Sequence, residues 1–301
     1  MTKIIEDVKL DFCDVLLLPK RSELSSRSEV QLNRQFKMKH TDKTIDMIGI
    51  FAANMDHTGT IPMAKSLHKS AMGVALHKFH SKGDIEAFYQ TEQSAYTFYT
   101  LGTSDADYEK FNDICGRLGP NAPDKICVDV ANGYSRKFVS FVERLRNNYP
   151  NSIIMAGNVV TPDMTYDLLE RGADIVKLGI GPGSVCTTRR ITGVGYPQLS
   201  AIIECADAAH GAGGLVCGDG GITCPGDIVK AFAAGADFVM CGGLFAGHAE
   251  CSGEVIGGVV KDSFYKSLDA ALTKAMRSRN EFQLLTLPSG KDVILQLDLF
   301  S

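Results

Sequence analysis

The sequence lacks the features that would place this chain in a membrane or on a nucleic acid. A membrane-spanning helix needs about 20 consecutive apolar residues, and no apolar run in this chain approaches that length. The formal net charge is −4, so there is no excess of basic residues to bind a nucleic acid polymer. The N-terminus has no apolar signal-peptide core. We therefore expect a cytoplasmic protein with neither a membrane nor a nucleic acid as partner.

Paired-cysteine motifs are also absent, although the chain contains nine cysteines. No two of them stand in a Cys-x-x-Cys arrangement, which argues against a zinc site and against a redox-active disulfide. Their odd number and scattered positions are typical of a reducing cytoplasm, in which most thiols act as small buried apolar side chains.

The chain has no Gly/Ser/Pro-rich linker and no block of like charges that would separate two domains. Its 301 residues are 45% hydrophobic and 22% charged, which is sufficient for one large core. We predict a single domain over residues 1–301, in which residues 1–45 form an N-terminal extension and residues 257–301 form an atypical tail.

The sequence does contain a regular alternation of two kinds of segment. Short apolar runs, each ending near Gly, Asn, Asp or His, alternate with segments whose apolar residues recur at helical spacing. Apolar strands that alternate with helices are typical of a parallel sheet covered by helices, and eight repeats favour an α/β fold, the (β/α)8 or TIM barrel. The predicted strands are residues 47–53, 73–77, 96–101, 126–131, 152–156, 174–180, 214–217 and 237–241.

Two local patterns support this fold. Thr161 and Pro162 predict the start of a helix, with Thr161 as the N-cap and Pro162 at the first helical position. The sequence Gly-Ala-Asp occurs at residues 172–174 and again at 235–237, each time with its glycine near the end of a predicted helix. This echo indicates an internally repeated half-barrel unit.

The active site of such a barrel lies at the C-terminal ends of its strands. Glycine pairs follow the last two predicted strands, at Gly220–Gly221 and Gly242–Gly243. With a helix N-terminus after them they predict a phosphate cradle, beside which Asp219 accepts hydrogen bonds from a ribose. The alternative is two tight turns with a capping aspartate. Lys78, after the second predicted strand, either pairs with a phosphate or points to solvent.

A loop after the sixth predicted strand carries the strongest chemical signal. Cys186 lies in the run Gly181-Pro-Gly-Ser-Val-Cys-Thr-Thr-Arg189, whose glycines and proline are incompatible with a helix interior. A lone cysteine is usually a packed thiol. The loop context instead presents this thiol at the end of a buried strand, so Cys186 is a candidate nucleophile.

Several long motifs resemble those of the IMP dehydrogenase/GMP reductase family. Gly179-Ile-Gly-Pro-Gly-Ser-Val-Cys-Thr-Thr188 resembles the family signature, and the run from Thr192 to Ala201 is similar to its GMP reductase branch. Asp129-Val-Ala-Asn-Gly-Tyr134 and Lys230-Ala-Phe-Ala-Ala-Gly-Ala-Asp-Phe-Val-Met240 resemble it as well. The likeness covers about residues 4–256.

This resemblance implies a reaction in which GMP and NADPH yield IMP, ammonia and NADP+. Cys186 would attack C2 of the purine and expel ammonia, and NADPH would deliver hydride to the resulting thioimidate. A thiolate suits both steps because it is a good nucleophile and a good leaving group. Thr188 matches the proton-transfer threonine of the family, which acts through a partner carboxylate.

The resemblance also implies binding residues and an assembly. The family's nucleotide-binding positions match Asp219, Gly220, Gly221, Gly242 and Gly243. Its cofactor contacts match Ser26, Arg27, Lys78, Asp129, Val130, Ala131, Ile180 and Gly181. Backbone carbonyls that bind a potassium ion (K+) would come from Gly181, Gly183, Cys186 and Arg189. Because Ser26 and Arg27 would reach a neighbouring subunit, the resemblance implies a homo-oligomer, a tetramer.

The C-terminal region departs from the family pattern. Ser289 stands at the position of the flap glutamate that partners the threonine, and residues 268–270 replace the Gly-Met-Ser that grips the purine. The chain also stops before the usual end of the family. Residues 268–276 predict a helix, and 282–287 and 292–298 predict two strands around a turn, which are expected to close the barrel in place of its usual last helix.

These departures leave alternatives open. The chain is a working GMP reductase whose carboxylate comes from elsewhere, with Glu281 as one candidate, or a catalytically weak relative that binds nucleotide in a regulatory or assembly role. An IMP dehydrogenase is disfavoured by Gly193-Val-Gly-Tyr-Pro197, which is similar to the reductase branch.

Overall fold

The structure is a computed structural model that describes residues 4–21, 23–184 and 186–252, with the backbone alone for Arg27 and for two strands at 282–286 and 294–297. Three short strands come first: β1 (Val15–Leu18), β2 (Arg34–Lys37) and β3 (Thr44–Met47). The next eight are β4 (Ile50–Ala52), β5 (Gly73–Leu76), β6 (Thr97–Leu101), β7 (Lys125–Asp129), β8 (Ile153–Val159), β9 (Ile175–Leu178), β10 (Leu215–Asp219) and β11 (Phe238–Cys241).

The eight strands from β4 to β11 form a closed parallel barrel, which confirms the predicted fold and all eight predicted strands. Pairing of β11 with β4, with Val239 opposite Ile50, closes the circle. The described helices lie between the strands: α1 (Ile61–His68), α2 (Lys82–Tyr89), α3 (Asp105–Leu118), α4 (Arg136–Asn148), α5 (Pro162–Glu170), α6 (Thr188–Thr192), α7 (Gln198–Gly211) and α8 (Pro225–Ala233). No helix in the described part of the chain is long and apolar enough to cross a membrane.

Aromatic side chains fill the N-terminal end of the barrel. Phe51 packs edge-on against Phe98 with ring centroids 5.3 Å apart, and against Phe238 at 5.5 Å. Phe36 comes from the antiparallel hairpin of β2 and β3 and lies 4.2 Å from Phe238. The hairpin thus covers this end of the barrel, a role that the sequence did not reveal within the N-terminal extension. The C-terminal ends of the strands are left to form the site.

The repeated Gly-Ala-Asp sequence makes the same structure twice. Gly172 and Gly235 have φ angles of +113° and +102°, a left-handed region that glycine tolerates best. Asp174 accepts a hydrogen bond from the Ile154 N–H on the neighbouring strand at 2.9 Å, and Asp237 accepts one from the Val216 N–H at 2.9 Å. The repeated sequence therefore corresponds to a repeated local structure.

The predicted helix start at residues 161 and 162 is confirmed. Pro162 opens α5 and Thr161 is its N-cap residue, but the Thr161 side chain makes no capping hydrogen bond. Its hydroxyl lies 3.1 Å from the hydroxyl of Tyr134 instead. The Thr161 side chain therefore contacts a residue distant in the chain and not the first turn of α5.

Two strands lie in the C-terminal tail, as predicted. β12 (Phe282–Thr286) and β13 (Ile294–Leu297) pair antiparallel. The expectation that they close the barrel is wrong, because β12 pairs with β1, with Val15 opposite Thr286, and the three strands form a separate sheet. The helix predicted over residues 268–276 lies outside the described residues.

Candidate active site

The loop that follows β9 presents the candidate nucleophile. Gly179 and Gly181 have φ angles of +137° and +75°, which allow the chain to turn sharply after the strand. The Cys186 N–H donates to the Gly183 carbonyl at 3.0 Å, which tightens the loop before α6. The Cys186 side chain is exposed at its tip. The prediction of a shaped loop that delivers a thiol agrees with this geometry.

Thr188 lowers the pKa of this thiol. Its hydroxyl lies 3.3 Å from Cys186 Sγ. Hydrogen bonds from the Thr188 hydroxyl and backbone N–H to the thiolate, with a smaller contribution from the charge of Arg189, lower the pKa of Cys186. Burial acts in the opposite direction at other cysteines and raises the pKa of Cys127 and of Cys205 to about 12. Cys186 is therefore equipped to act as a thiolate.

The nucleophile loop packs against the ends of β10 and β11. A Cβ atom on Gly220 would lie 3.1 Å from the Pro182 ring, and one on Gly221 would lie 3.2 Å from it. A Cβ on Gly243 would lie 3.9 Å from Ser184 Oγ. The structure thus brings the predicted nucleophile and the predicted nucleotide-binding glycines together.

The predicted phosphate cradle is less complete than the sequence suggests. The Gly220 N–H donates to the Met240 carbonyl at 3.2 Å, so this N–H is not directed at a ligand. Helix α8 follows the first glycine pair, but the described chain after Gly243 runs through turns and bends to Ser252. The expectation of a helix N-terminus after both pairs is therefore wrong for the second pair. Gly221, Gly242 and Gly243 are left as candidate donors.

A buried lysine lies beneath the site. Lys177, on β9, has its Nζ atom 2.5 Å from Asp129 Oδ1 and 2.6 Å from Asp219 Oδ2. Asn158 Nδ2 donates to the same Asp219 oxygen at 2.9 Å. The sequence reasoning treated residues 174–180 as an apolar strand and missed this lysine. A cation in the middle of a strand that is buried on both faces was the signal that could have identified it.

The charges in this cluster stabilise one another. Burial alone would lower the pKa of Lys177, but the carboxylates of Asp129 and Asp219 outweigh it and raise that pKa well above its usual value. Burial likewise opposes ionisation of Asp129, but Lys177, a hydrogen bond with Asn54 and the charge of Lys78 hold its pKa below the usual range. The cluster is therefore a buried ammonium shared by two carboxylates.

The expected cofactor residues are only partly assembled. The charge of Lys78 acts on Asp129 across the C-terminal ends of β5 and β7. The Val130 N–H donates to the Gly157 carbonyl at 3.0 Å, and Ala131 is exposed beside it. Ile180 is buried, and its carbonyl accepts a hydrogen bond from Arg189 at 3.5 Å. These residues line the same end of the barrel as Cys186.

The structure describes the other expected residues only in part. The Ser26 hydroxyl lies 2.8 Å from the Ser28 hydroxyl, and the Ser26 N–H donates to the Glu29 carboxylate at 3.0 Å. The side chain of Arg27 lies outside the described residues. So do Glu281, Ser289 and residues 268–270, which bear on the missing carboxylate.

The N-terminal segment holds the nucleophile loop from outside. Asp11 accepts hydrogen bonds from Arg189 at 3.3 Å and from the Gln198 N–H at 2.5 Å. Arg189 also donates to the carbonyl of Tyr196. The sequence reasoning assigned Arg189 only a carbonyl ligand role and did not connect it with Asp11, because nothing local links residues so far apart in the chain.

Comparison with known proteins gives extensive matches. A model of the IMP dehydrogenase / GMP reductase domain matches residues 9–286, which extends past residue 256 and includes β12. GMP reductase of Aeromonas hydrophila subsp. hydrophila is 54% identical over 257 residues, which are 84% of this chain and 74% of that protein. GMP reductase 1 of Mus musculus is 51% identical over 279 residues, which are 91% of this chain and 80% of that one.

Proposed function

Because the chain belongs to the IMP dehydrogenase / GMP reductase family, we propose that it is a GMP reductase, which converts GMP to IMP and ammonia with NADPH. The relatives that cover most of the chain carry the name GMP reductase. The observation that carries the proposal is the exposed Cys186 thiol, 3.3 Å from the Thr188 hydroxyl and packed beside two glycine-rich strand ends.

The proposed chemistry begins at Cys186. Its thiolate adds to C2 of the purine, a C–S bond forms, and the 2-amino group takes up a proton and leaves as ammonia. Bound NADPH would supply a hydride to C2, on which the C–S bond breaks and Cys186 leaves as the thiolate, which releases IMP. A thiol with a lowered pKa favours the first and last steps, because it is both a better-populated nucleophile and a better leaving group.

Thr188 is the second proposed catalytic residue. Its hydroxyl lies within hydrogen-bond reach of the reacting sulfur and is therefore placed to move the proton that the amino group requires. A hydroxyl is a weak acid and base alone, so the step needs a carboxylate partner. Glu281 remains the candidate that the sequence offers for that role.

The residues near Asp129 fit a cofactor that carries hydroxyl and amide donors. Asp129 presents a partly exposed carboxylate, and Asn158 Oδ1 is buried with no hydrogen-bond partner among the described residues. Both are acceptors, as a ribose and a carboxamide require. Lys78 supplies a positive charge at the same edge, and Ser26 and Arg27 would serve the cofactor of a neighbouring subunit in a cytoplasmic homotetramer.

The proposed cation site consists of carbonyl oxygens, which suit a hard monovalent cation such as K+. The carbonyls of Gly183 and Arg189 already accept hydrogen bonds from Cys186 and Gly193, at 3.0 and 3.2 Å. A carbonyl has two lone pairs, so the cation would take the second one. Turnover that rises with K+ and not with Na+ would support this assignment.

A single experiment tests the proposed function. The purified chain is mixed with GMP and NADPH, and the loss of NADPH absorbance and the formation of IMP are followed together. We expect stoichiometric conversion that disappears in Cys186→Ala. Binding of GMP without any consumption of NADPH would contradict the proposal and favour the weak nucleotide-binding relative. Oxidation of IMP to XMP with incorporation of water, coupled to reduction of NAD+ to NADH, would instead indicate a dehydrogenase.

A further inference from the structure

Lys177 is buried below the open end of the barrel. Its side chain is 2% exposed, whereas the side chains of Asp129 and Asp219 are 36% and 18% exposed. The two carboxylates therefore face the open end of the barrel, and the ammonium group lies beneath both of them. A group in this position acts on a ligand only through the two aspartates.

The two aspartates need this cation. Because both contact one Nζ atom, their contacting oxygens lie within about 5 Å of each other, a separation at which two carboxylates resist simultaneous ionisation. Without the lysine, the pair would hold one proton between them at a higher pH, as coupled carboxylates do. A protonated carboxyl donates one hydrogen bond and loses part of its capacity to accept them.

The remaining neighbours do not replace Lys177. Cys127 on β7 and Cys217 on β10 face the ammonium, and burial raises the pKa of both thiols, so they stay neutral. Asn158 and Asn54 contribute hydrogen bonds to the aspartates but no charge. Lys78 acts on Asp129 from the rim, and Cys186 adds a negative charge near Asp219 when its thiol is ionised.

We propose that Lys177 is a positioning residue that keeps Asp129 and Asp219 ionised together, so that the cofactor subsite and the nucleotide subsite share one buried cation. This inference rests on the proposed function, which assigns Asp129 to NADPH and Asp219 to the ribose of GMP. It adds that the two subsites are not electrostatically independent: each carboxylate remains an acceptor only because the lysine neutralises the other.

The test replaces Lys177 by methionine, which keeps the length of the side chain and removes its charge. GMP affinity is measured by calorimetry, without cofactor, across the neutral and mildly alkaline range. We expect affinity at neutral pH to fall by about tenfold or more and to recover as the pH rises, because Asp219 then loses the shared proton. The wild-type chain should show no such recovery.

A second substitution separates charge from shape. In Lys177→Met/Asp129→Asn the competing carboxylate is gone, so Asp219 should ionise at neutral pH and most of the GMP affinity should return. A purely structural role for Lys177 predicts no rescue. Weak binding at every pH that Asp129→Asn does not relieve, or wild-type affinity in Lys177→Met, would overturn the inference.

A measurement without ligand tests the inference even if Lys177→Met does not fold. Asp219→Asn keeps Lys177, and carbon-13 NMR can follow the titration of the Asp129 carboxyl in this variant. We expect the Asp129 carboxyl to titrate below the ordinary aspartate value of about 3.9, because Lys177 lies 2.5 Å from it. Titration above that value would overturn the inference. Because this readout needs neither GMP nor turnover, its outcome is distinguishable from failure of the proposed function.

Discussion

The two ends of the barrel differ in the chemistry of the residues that form them. At the N-terminal end, the rings of Phe36, Phe51, Phe98 and Phe238 pack with centroids 4.2 to 5.5 Å apart. At the C-terminal end, the interior contains Lys177 between two carboxylates, and the loops above it are rich in glycine. The same strands pass through both ends, so position along the strand determines whether a residue stabilises the fold or serves the site.

This difference has a physical reason. Apolar burial contributes stability without requiring a partner of fixed geometry. A buried ammonium contributes little or nothing net to stability, since its desolvation offsets its attraction to the carboxylates. Charges at the C-terminal end are therefore best explained by what they hold in place for a ligand. Substitutions at the C-terminal end should therefore impair catalysis, whereas substitutions at the N-terminal end should lower the stability of the fold.

The largest expected effect separates chemistry from folding at the C-terminal end. Cys186→Ala should lower kcat by about 10⁴-fold or more, since removal of a covalent nucleophile leaves only binding contributions. The melting temperature should change little because the side chain is exposed. Steady-state kinetics and thermal melts measure the two quantities. Cys13→Ser, at another exposed cysteine, is the matched control and should leave kcat unchanged.

The opposite failure is expected at the N-terminal end. Phe238→Ala should lower the free energy of unfolding by about 3–5 kcal/mol, because it leaves a cavity between Phe36 and Phe51. Denaturant titration measures this, and Tyr166→Ala, at an exposed aromatic residue, should cost far less. Wherever Phe238→Ala remains folded, the KM for GMP should stay close to that of the wild type. A large rise in KM without loss of stability would contradict the separation of the two ends.

A smaller effect concerns the pH dependence of the exposed thiol. Its pKa is lowered by hydrogen bonds from Thr188, so a larger fraction is thiolate at neutral pH than in an ordinary cysteine. Thr188→Ala removes the hydroxyl bond and should move the alkylation profile to higher pH, slowing iodoacetamide at neutral pH by about three- to tenfold. The rates are measured in a background without Cys13 and Cys224. Thr188→Ser, which keeps the hydroxyl, should restore the original profile, and identical profiles in all three proteins would refute the role of this bond.

The sequence predicted the barrel because each of its strands is a short apolar run, and such a run identifies itself without reference to its partners. It also predicted the Cys186 loop, whose glycines and proline act locally. The hairpin of β2 and β3 escaped notice because its short strands alternate buried and exposed residues inside a polar extension. The pairing of β12 with β1 could not be predicted either, since the sequence of a strand does not specify its distant partner or their register.

Lys177 shows a different limit. Residues 174–180 predict a strand because most of them are apolar, and this pattern indicates no role for the single cation among them. Its meaning depends on Asp129 and Asp219, which lie on two other strands and meet it only in the closed barrel. Thr161 makes a related point, because the sequence predicted its position at the start of α5 but not the contact of its hydroxyl with Tyr134. Local signals located the elements, and contacts between elements determined the roles of individual side chains.

The smallest expected effect lies at the boundary between fold and site. Asp11 binds Arg189 and the Gln198 N–H, and the pair of Asp11 and Arg189 is about one-third exposed, so its contribution to stability should stay below about 1 kcal/mol. Asp11→Asn should nevertheless lower kcat by about two- to fivefold, because Arg189 belongs to the segment that carries the thiol and a small displacement there affects alignment. Lys39→Met is the matched control: it breaks a partly exposed ion pair between the N-terminal extension and Glu170 on α5, away from Arg189 and Tyr196. Equal losses of kcat in the two variants would mean that the N-terminal segment supports the barrel in general, whereas a loss confined to Asp11→Asn would show that it positions the nucleophile loop.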